Sequence, residues 1–301
     1  MSENTQKSSG HYINVGEYRI RYFEEGQGET LILIHGLGQA MYTFRKNVRV
    51  LSEHCHVISI DLLGHGFSSK PEIDYTIDDF SKLIVDFMNA MEIQKASLLG
   101  FSTGAIIALD VAIKYPQYVK QLFLLSPGGV TKTYPSLIKH LSTPIISDII
   151  FTFFNQSMIK SVLDQAYFDP TFVTKDVIRH YHKVLSNKEN LDACILAYSN
   201  WDDENIAYEL SSVKAPAYIF WGEEDTWHPI NMLELYEDAL PEVYSATLPD
   251  CGHMLHEECA DEINKKIISV ITSFKNFDDS LDDEIIDESD FNKEAEDETE
   301  E

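Results

Sequence analysis

The chain has 301 residues, 44% of them hydrophobic and 24% charged, and carries a formal charge of −27 at neutral pH. That length can bury a large core as one α/β domain with an insertion, and that charge argues against binding to nucleic-acid phosphates. The longest apolar stretch, 145–154, is interrupted by Ser147, Asp148 and Thr152 and falls short of the ~20 residues a spanning helix needs, so no transmembrane segment is expected.

Residues 1–10 are polar and lack the apolar centre of an export signal, which predicts a cytoplasmic protein. A hairpin is predicted around Gly16, then strand 31–35, helix 41–53, strand 57–61, helix 77–92, strand 96–100, helix 103–115 and strand 119–125. Alternation of this kind means a parallel sheet covered on both faces. It stops after Ser126-Pro127-Gly128-Gly129, and the stretch to Val213 reads as wholly helical before a strand resumes at 217. The expected fold is therefore α/β, a mostly parallel central sheet with helices on both faces and an inserted helical cap. Its core would be 1–130 and 214–277, with the cap at 131–213. Residues 278–301 hold fourteen acidic residues and one lysine, which leaves −14 of the −27 for the rest. Strong self-repulsion and few apolar anchors predict a disordered tail, a solubilising appendage or a docking site for a protein partner.

The chemistry concentrates at four strand ends. Ser102 is the centre of Gly100-Phe101-Ser102-Thr103-Gly104, between a predicted strand and a predicted helix. Such a turn strains the serine backbone and exposes its hydroxyl at a helix N-terminus, where the Thr103 amide and the helix dipole face a developing oxyanion. The run 30–34 ends in His35-Gly36-Leu37-Gly38, a turn that would bring the Leu37 amide in as the second oxyanion donor. The run 217–221 is followed by Gly222-Glu223-Glu224-Asp225, and Asp225 is preferred over Glu223 and Glu224 because it lies beyond the turn glycine. His253, in Asp250-Cys251-Gly252-His253, is preferred over His256 because it directly follows a glycine that turns the loop inward.

Nucleophile, acid and base thus follow one another as Ser102, Asp225 and His253, each after a predicted strand. From about His11 to about Phe274 the sequence resembles the α/β-hydrolase superfamily, specifically its serine-nucleophile enzymes with a helical cap. The segment Asp61-Leu62-Leu63-Gly64-His65-Gly66-Phe67-Ser68 matches a loop of that family that supports the active-site floor, which implies a structural role for His65. Ala105 stands where many relatives have a glycine, a small-for-small change. The serine nucleophile implies attack on a carbonyl, and sets the chain apart from relatives that open epoxides or displace halide with an aspartate.

The resemblance implies ester hydrolysis without a cofactor, on a small-molecule substrate. Leu137, Ile138, Leu141, Ile145, Ile146, Ile149, Ile150, Phe151, Phe153 and Phe154, with Phe168, Phe172, Tyr198 and Trp201, favour an apolar acyl or ring-bearing ester. The alternatives are hydrolysis of a carbon–carbon bond in a vinylogous diketone, and a non-catalytic small-molecule receptor on the same fold. Cys55, Cys194, Cys251 and Cys259 form no Cys-x-x-Cys pair and are read as reduced thiols of a cytosolic protein. The acidic tail also loosely resembles C-terminal signals of proteins exported by bacterial type IV machinery, the alternative for localisation. His54 with His56 and His180 with His182 have the spacing of one strand face, but without a third ligand no metal site is expected.

Overall fold

The computed structural model describes residues 10–128 and 151–283, with side chains up to 273. Eight strands form one sheet: β1 (His11–Val15), β2 (Tyr18–Glu25), β3 (Thr30–Ile34), β4 (His56–Ile60), β5 (Ala96–Phe101), β6 (Val119–Leu125), β7 (Ala217–Gly222) and β8 (Val243–Leu248). Their spatial order is β1-β2-β4-β3-β5-β6-β7-β8. β2 pairs antiparallel with β1 and β4, and the remaining pairs are parallel. Between the strands run α1 (Val48–Ser52), α2 (Ile77–Ala90), α3 (Thr103–Lys114), α4 (Gln156–Ala166), α5 (Lys175–Leu185), α6 (Lys188–Ser199), α7 (Glu204–Glu209) and α8 (Leu233–Ala239), and after β8 come α9 (Leu255–Glu258) and α10 (Ala260–Asp283). This is the α/β architecture expected, with α4–α7 between β6 and β7.

The central strands read as unbroken apolar runs because both faces are covered. Ile32 and Ile34 of β3, Leu98 of β5 and Leu122 and Leu124 of β6 pack on α2 and α3 through Phe80, Ile84 and Ile106. Their neighbours Leu31, Leu33, Leu99, Phe101, Phe123 and Leu125 face the other way, toward Ile263 and Ile267 of α10 and toward α4 and α5. Alternate residues of one strand therefore belong to two separate cores. α2 starts at a capping box, with the Thr76 hydroxyl accepting from the Asp79 amide and the Asp79 carboxylate accepting from the Thr76 amide.

Two boundaries differ from expectation. The segment 41–53 is a single 3₁₀ turn, Met41–Phe44, followed by α1, because tertiary partners claim its polar groups. The Met41 amide donates to Asp61, Arg45 pairs with Glu257, and Asn47 Nδ2 donates to Asn264 Oδ1 at 2.9 Å. α10 continues to Asp283, so the start of the segment read as tail is helical. Residues 284–301 lie outside the described residues, as do 129–150, the first part of the insert with Leu137 through Ile150.

Two glycines set how closely α3 lies on the sheet. A Cβ on Gly100 would meet the Gly104 carbonyl oxygen at 2.3 Å, and one on Gly104 would meet the Ile34 carbonyl oxygen at 2.2 Å. Both contacts are with backbone, which has nowhere to move. Ala105 beside them is fully buried, so its methyl is accommodated against the sheet. Gly104→Ala is expected to lower stability by about 2–3 kcal/mol through this overlap, measured as a shift of the urea midpoint against wild type.

Candidate active site

The carboxyl ends of β3, β5, β7 and β8 converge on one point. Ser102 follows β5 with φ 54° and ψ −120°, so it enters α3 as its N-cap without capping it. A serine there ordinarily accepts from the first-turn amides, and the positive φ turns this hydroxyl away from that role. Ser102 Oγ lies 3.2 Å from His253 Nε2, and His253 Nδ1 lies 2.8 Å from Asp225 Oδ2. A carboxylate only accepts, so Nδ1 carries the imidazole proton and Nε2 is left to accept from the serine. Asp225 Oδ1 takes the amides of Trp227 and His228, each at 2.9 Å, which leaves the carboxylate no freedom to turn. Burial pushes the Asp225 carboxyl up, but His253 and His228 beside it reverse that and hold it below the ordinary range.

Each competitor is placed elsewhere. Glu223 and Glu224 are exposed, Glu223 accepting from Thr247. His256 is fully buried beneath Phe101, its Nε2 2.6 Å from Thr43 Oγ1. His65 is buried with Nδ1 on the Leu63 carbonyl, and His35 ties the turn after β3 to the Asp61 loop, donating to the Gly36 carbonyl and accepting from the Leu62 amide. The Leu37 amide, expected to stand open for an oxyanion, donates instead to Thr103 Oγ1 at 2.7 Å. Thr103 is the first residue of α3, so its own amide is among those no helical carbonyl accepts.

A cavity of about 170 Å³ opens over Ser102 and His253. Met158, Ile159, Val162 and Leu163 of α4, Leu185 of α5 and Ile195 of α6 line it, with Phe154, Trp227 and Met254. Besides Ser102 and His253, the described lining includes the polar Gln39, Tyr181 and Tyr198, and no lysine or arginine. Of the other residues read as substrate contacts, Phe153 and Phe168 are exposed and Trp201 is buried in the core below.

Several neighbours of the site were not foreseen from the sequence. His228 packs edge-on against His253 at 4.6 Å, its Nδ1 donating to the Ser126 carbonyl. The Asp225-x-x-His228 spacing was a signal that could have found it. The Glu257 carboxylate, fully buried, accepts from Arg45 at 2.7 Å, from the Tyr181 hydroxyl at 2.9 Å and from Tyr167. It thereby joins α4–α5 to the core through partners up to 212 residues apart, which no local pattern displays. Burial opposes its ionisation, and Arg45 more than offsets this, so its carboxyl also lies below the ordinary range.

Two expectations are corrected. Cys251 and Cys259 are joined as a disulfide, with only Cys55 and Cys194 free, so the reading of four reduced thiols does not hold. The bond closes the loop that carries His253, and such bonds persist in oxidising surroundings, which removes the cysteine argument for a cytoplasmic protein. His180 and His182 sit on α5, where an i, i+2 pair points apart, and His54 lies in the turn before β4, so neither pair shares a strand face. Asp225, His228 and His253 could offer ligand atoms within 4.8 Å of one another. A metal there would take the Nδ1–Oδ2 pair that orients His253, so these atoms serve one role or the other.

The family described as the alpha/beta hydrolase fold matches residues 29–260. The chain is 26% identical over 270 residues to 2-hydroxy-6-oxo-6-(2'-aminophenyl)hexa-2,4-dienoic acid hydrolase of Metapseudomonas resinovorans, covering 87% of this chain and 90% of that one. A solved meta-cleavage product hydrolase from Pseudomonas fluorescens IP01 superposes with a TM-score of 0.76 at 22% identity, over 88% of this chain and 98% of that one. The enol-lactonase from Burkholderia xenovorans LB400 gives a TM-score of 0.75 at 20% identity, over 87% and 100%. Among the described residues no helix is long and apolar enough to cross a membrane.

The buried histidines make the fold acid-sensitive. Burial lowers His35 and His228 to about 4 and His65 and His256 to about 3. Unfolding returns each to about 6.5, so below that pH the unfolded chain binds more protons and stability falls until the folded values are reached. Each histidine adds a slope of up to about 1.4 kcal/mol per pH unit, and denaturant midpoints measured from pH 7.5 to 4.5 are expected to drop steeply below about 6.5. For the disulfide, with partners 8 residues apart, the chain-entropy relation gives about 2–3 kcal/mol. Replacing both Cys251 and Cys259 by Ala is expected to lower unfolding free energy by that amount in urea titrations.

Proposed function

Since the chain belongs to the α/β-hydrolase family, we propose that it is a serine hydrolase cleaving esters of uncharged, apolar acids through Ser102, His253 and Asp225. The observation that carries this reading is the Ser102–His253–Asp225 chain of contacts, 3.2 and 2.8 Å, at the floor of an apolar cavity without a cationic side chain among its described lining.

Ser102 Oγ bonds to the substrate carbonyl carbon as its proton passes to His253 Nε2, and the carbonyl π electrons collect on oxygen. Asp225 holds the reactive tautomer and balances the imidazolium charge. Collapse of the tetrahedral species breaks the bond to the leaving alkoxide, which takes the proton from His253. Water then repeats the cycle on the acyl-serine, giving its proton to His253 and releasing the acid. No cofactor enters these steps.

Carbon–carbon hydrolysis is the second reading, because the Metapseudomonas relative is named for a dienoic acid. A carboxylate carried into this cavity would lose its hydration and find no lysine or arginine among the described lining, an unfavourable exchange. That favours a neutral ester. A receptor role is separated from both by turnover.

Ser102→Ala is expected to abolish fluorophosphonate labelling, and His253→Ala to reduce p-nitrophenyl ester turnover by at least about 10³-fold. Labelling mapped to another residue overturns the assignment. With p-nitrophenyl esters of increasing acyl length, kcat/KM is expected to rise by up to about fourfold per methylene until the cavity fills. A flat profile, with turnover of a dienoate instead, would favour the carbon–carbon reading.

A further inference from the structure

The Leu37 amide, one of two backbone donors on which the oxyanion reading relies, is already engaged. It donates to Thr103 Oγ1 at 2.7 Å, inside the normal hydrogen-bond range. Thr103 is 2% exposed, and it follows the nucleophile directly. Its amide is the other donor in that reading, and its hydroxyl lies against Leu37, which lines the cavity together with Ser102. Gly36 keeps the turn against this point, since a Cβ there would stand 3.3 Å from Ser102 Cβ.

A threonine hydroxyl has one proton and two lone pairs. One lone pair takes the Leu37 N–H, and no carbonyl or carboxylate among the described residues accepts the proton. The oxyanion is an acceptor that forms at this place only when Ser102 attacks. We propose that the Thr103 hydroxyl is itself an oxyanion donor: its proton turns to the developing alkoxide while its oxygen keeps the Leu37 hydrogen bond. Leu37 then acts through Thr103, polarising the hydroxyl and strengthening its donation to the charge. No proton changes owner in this step, and the electron balance remains that of Ser102 attack. The inference deepens the serine-hydrolase reading and rests on it.

The arrangement suits differential stabilisation. A carbonyl oxygen in the ground state is a weak acceptor, while an oxyanion takes a charge-assisted bond, so the hydroxyl helps the transition state more than the bound ester. Rotation about one bond is all it requires. A valine in its place keeps the shape, removes the proton and frees the Leu37 amide to reach the oxyanion directly, which recovers part of the loss.

The test compares wild type, Thr103→Val and Thr103→Ser with p-nitrophenyl butyrate, together with the rate of Ser102 phosphonylation by an alkyl fluorophosphonate. Expected are a 10- to 100-fold fall in kcat for Thr103→Val with KM within about twofold, a parallel fall in phosphonylation rate, and recovery to within about threefold of wild type in Thr103→Ser. Thr103→Val that keeps kcat within twofold, or exceeds wild type, overturns the proposal, because the hydroxyl would then only plug the site. If Thr103→Val fails to fold, Thr103→Ser decides: near-wild-type kcat supports the proposal, and a loss of tenfold or more overturns it. Loss in the serine variant as large as in the valine variant also overturns it, since packing would then be the cause. An active wild type with an unaffected valine variant removes Thr103 alone, whereas a wild type that neither turns over ester nor labels removes Ser102 as nucleophile and this role with it.

Discussion

The seating of α3 on the end of the sheet governs the rest of the site. Gly104 brings its helix so close to β3 that a single methyl would overlap the Ile34 carbonyl, and Gly100 allows the same approach from β5. The chain can pass from β5 into a helix that near only through a sharp reversal, which is the positive φ at Ser102. That strain is tolerated because the surrounding parallel strands over-determine it. The result aims the serine hydroxyl away from its own helix and toward the loop after β8. The placing of the Ser102 hydroxyl, the helix amides and the neighbouring Leu37 turn thus follows from one backbone contact.

Charge is kept off the described cavity walls, with the Asp225 carboxylate buried behind His253. The described cavity walls are apolar, and four buried histidines other than His253 are held neutral by desolvation. Another buried carboxylate lies behind the site, where Glu257 meets the partly exposed Arg45 and two tyrosines. A buried carboxylate with this many donors is a positional device more than a source of net stability. Here it fixes how α4 and α5 sit on the core, and those two helices form much of the cavity wall. The apolar surroundings also strengthen any hydrogen bond to a developing oxyanion, because little competing polarity lies nearby.

The His253 loop is constrained from several sides. The disulfide closes it, Glu258 accepts from the Gly252 amide at 2.8 Å, and Trp227 stacks on the imidazole at 5.0 Å. A base carried on an exposed loop would lose its geometry to thermal motion. Here the loop is short and buried, and its ends are covalently joined.

Much of the fold was legible in the sequence because parallel strands buried on both faces leave continuous apolar runs such as 30–34 and 217–221, and because Gly-x-Ser-x-Gly marks its own turn. Ser102 and Asp225 each follow such a run by a few positions, whereas His253 follows the largely exposed edge strand β8 and was read from the glycine before it. The helix read at 41–53 was misread because periodicity does not register the distant partners Asp61, Glu257 and Asn264 that divide it. The pairing of Cys251 with Cys259, the packing of His228 on His253 and the Glu257 cluster were likewise decided in three dimensions. So was the capture of the Leu37 amide by Thr103, residues 66 apart in the chain. Local sequence determines backbone conformation and which face is apolar; which polar groups meet is determined only when the folded backbone brings distant turns within hydrogen-bond reach and burial forces each group to find a partner.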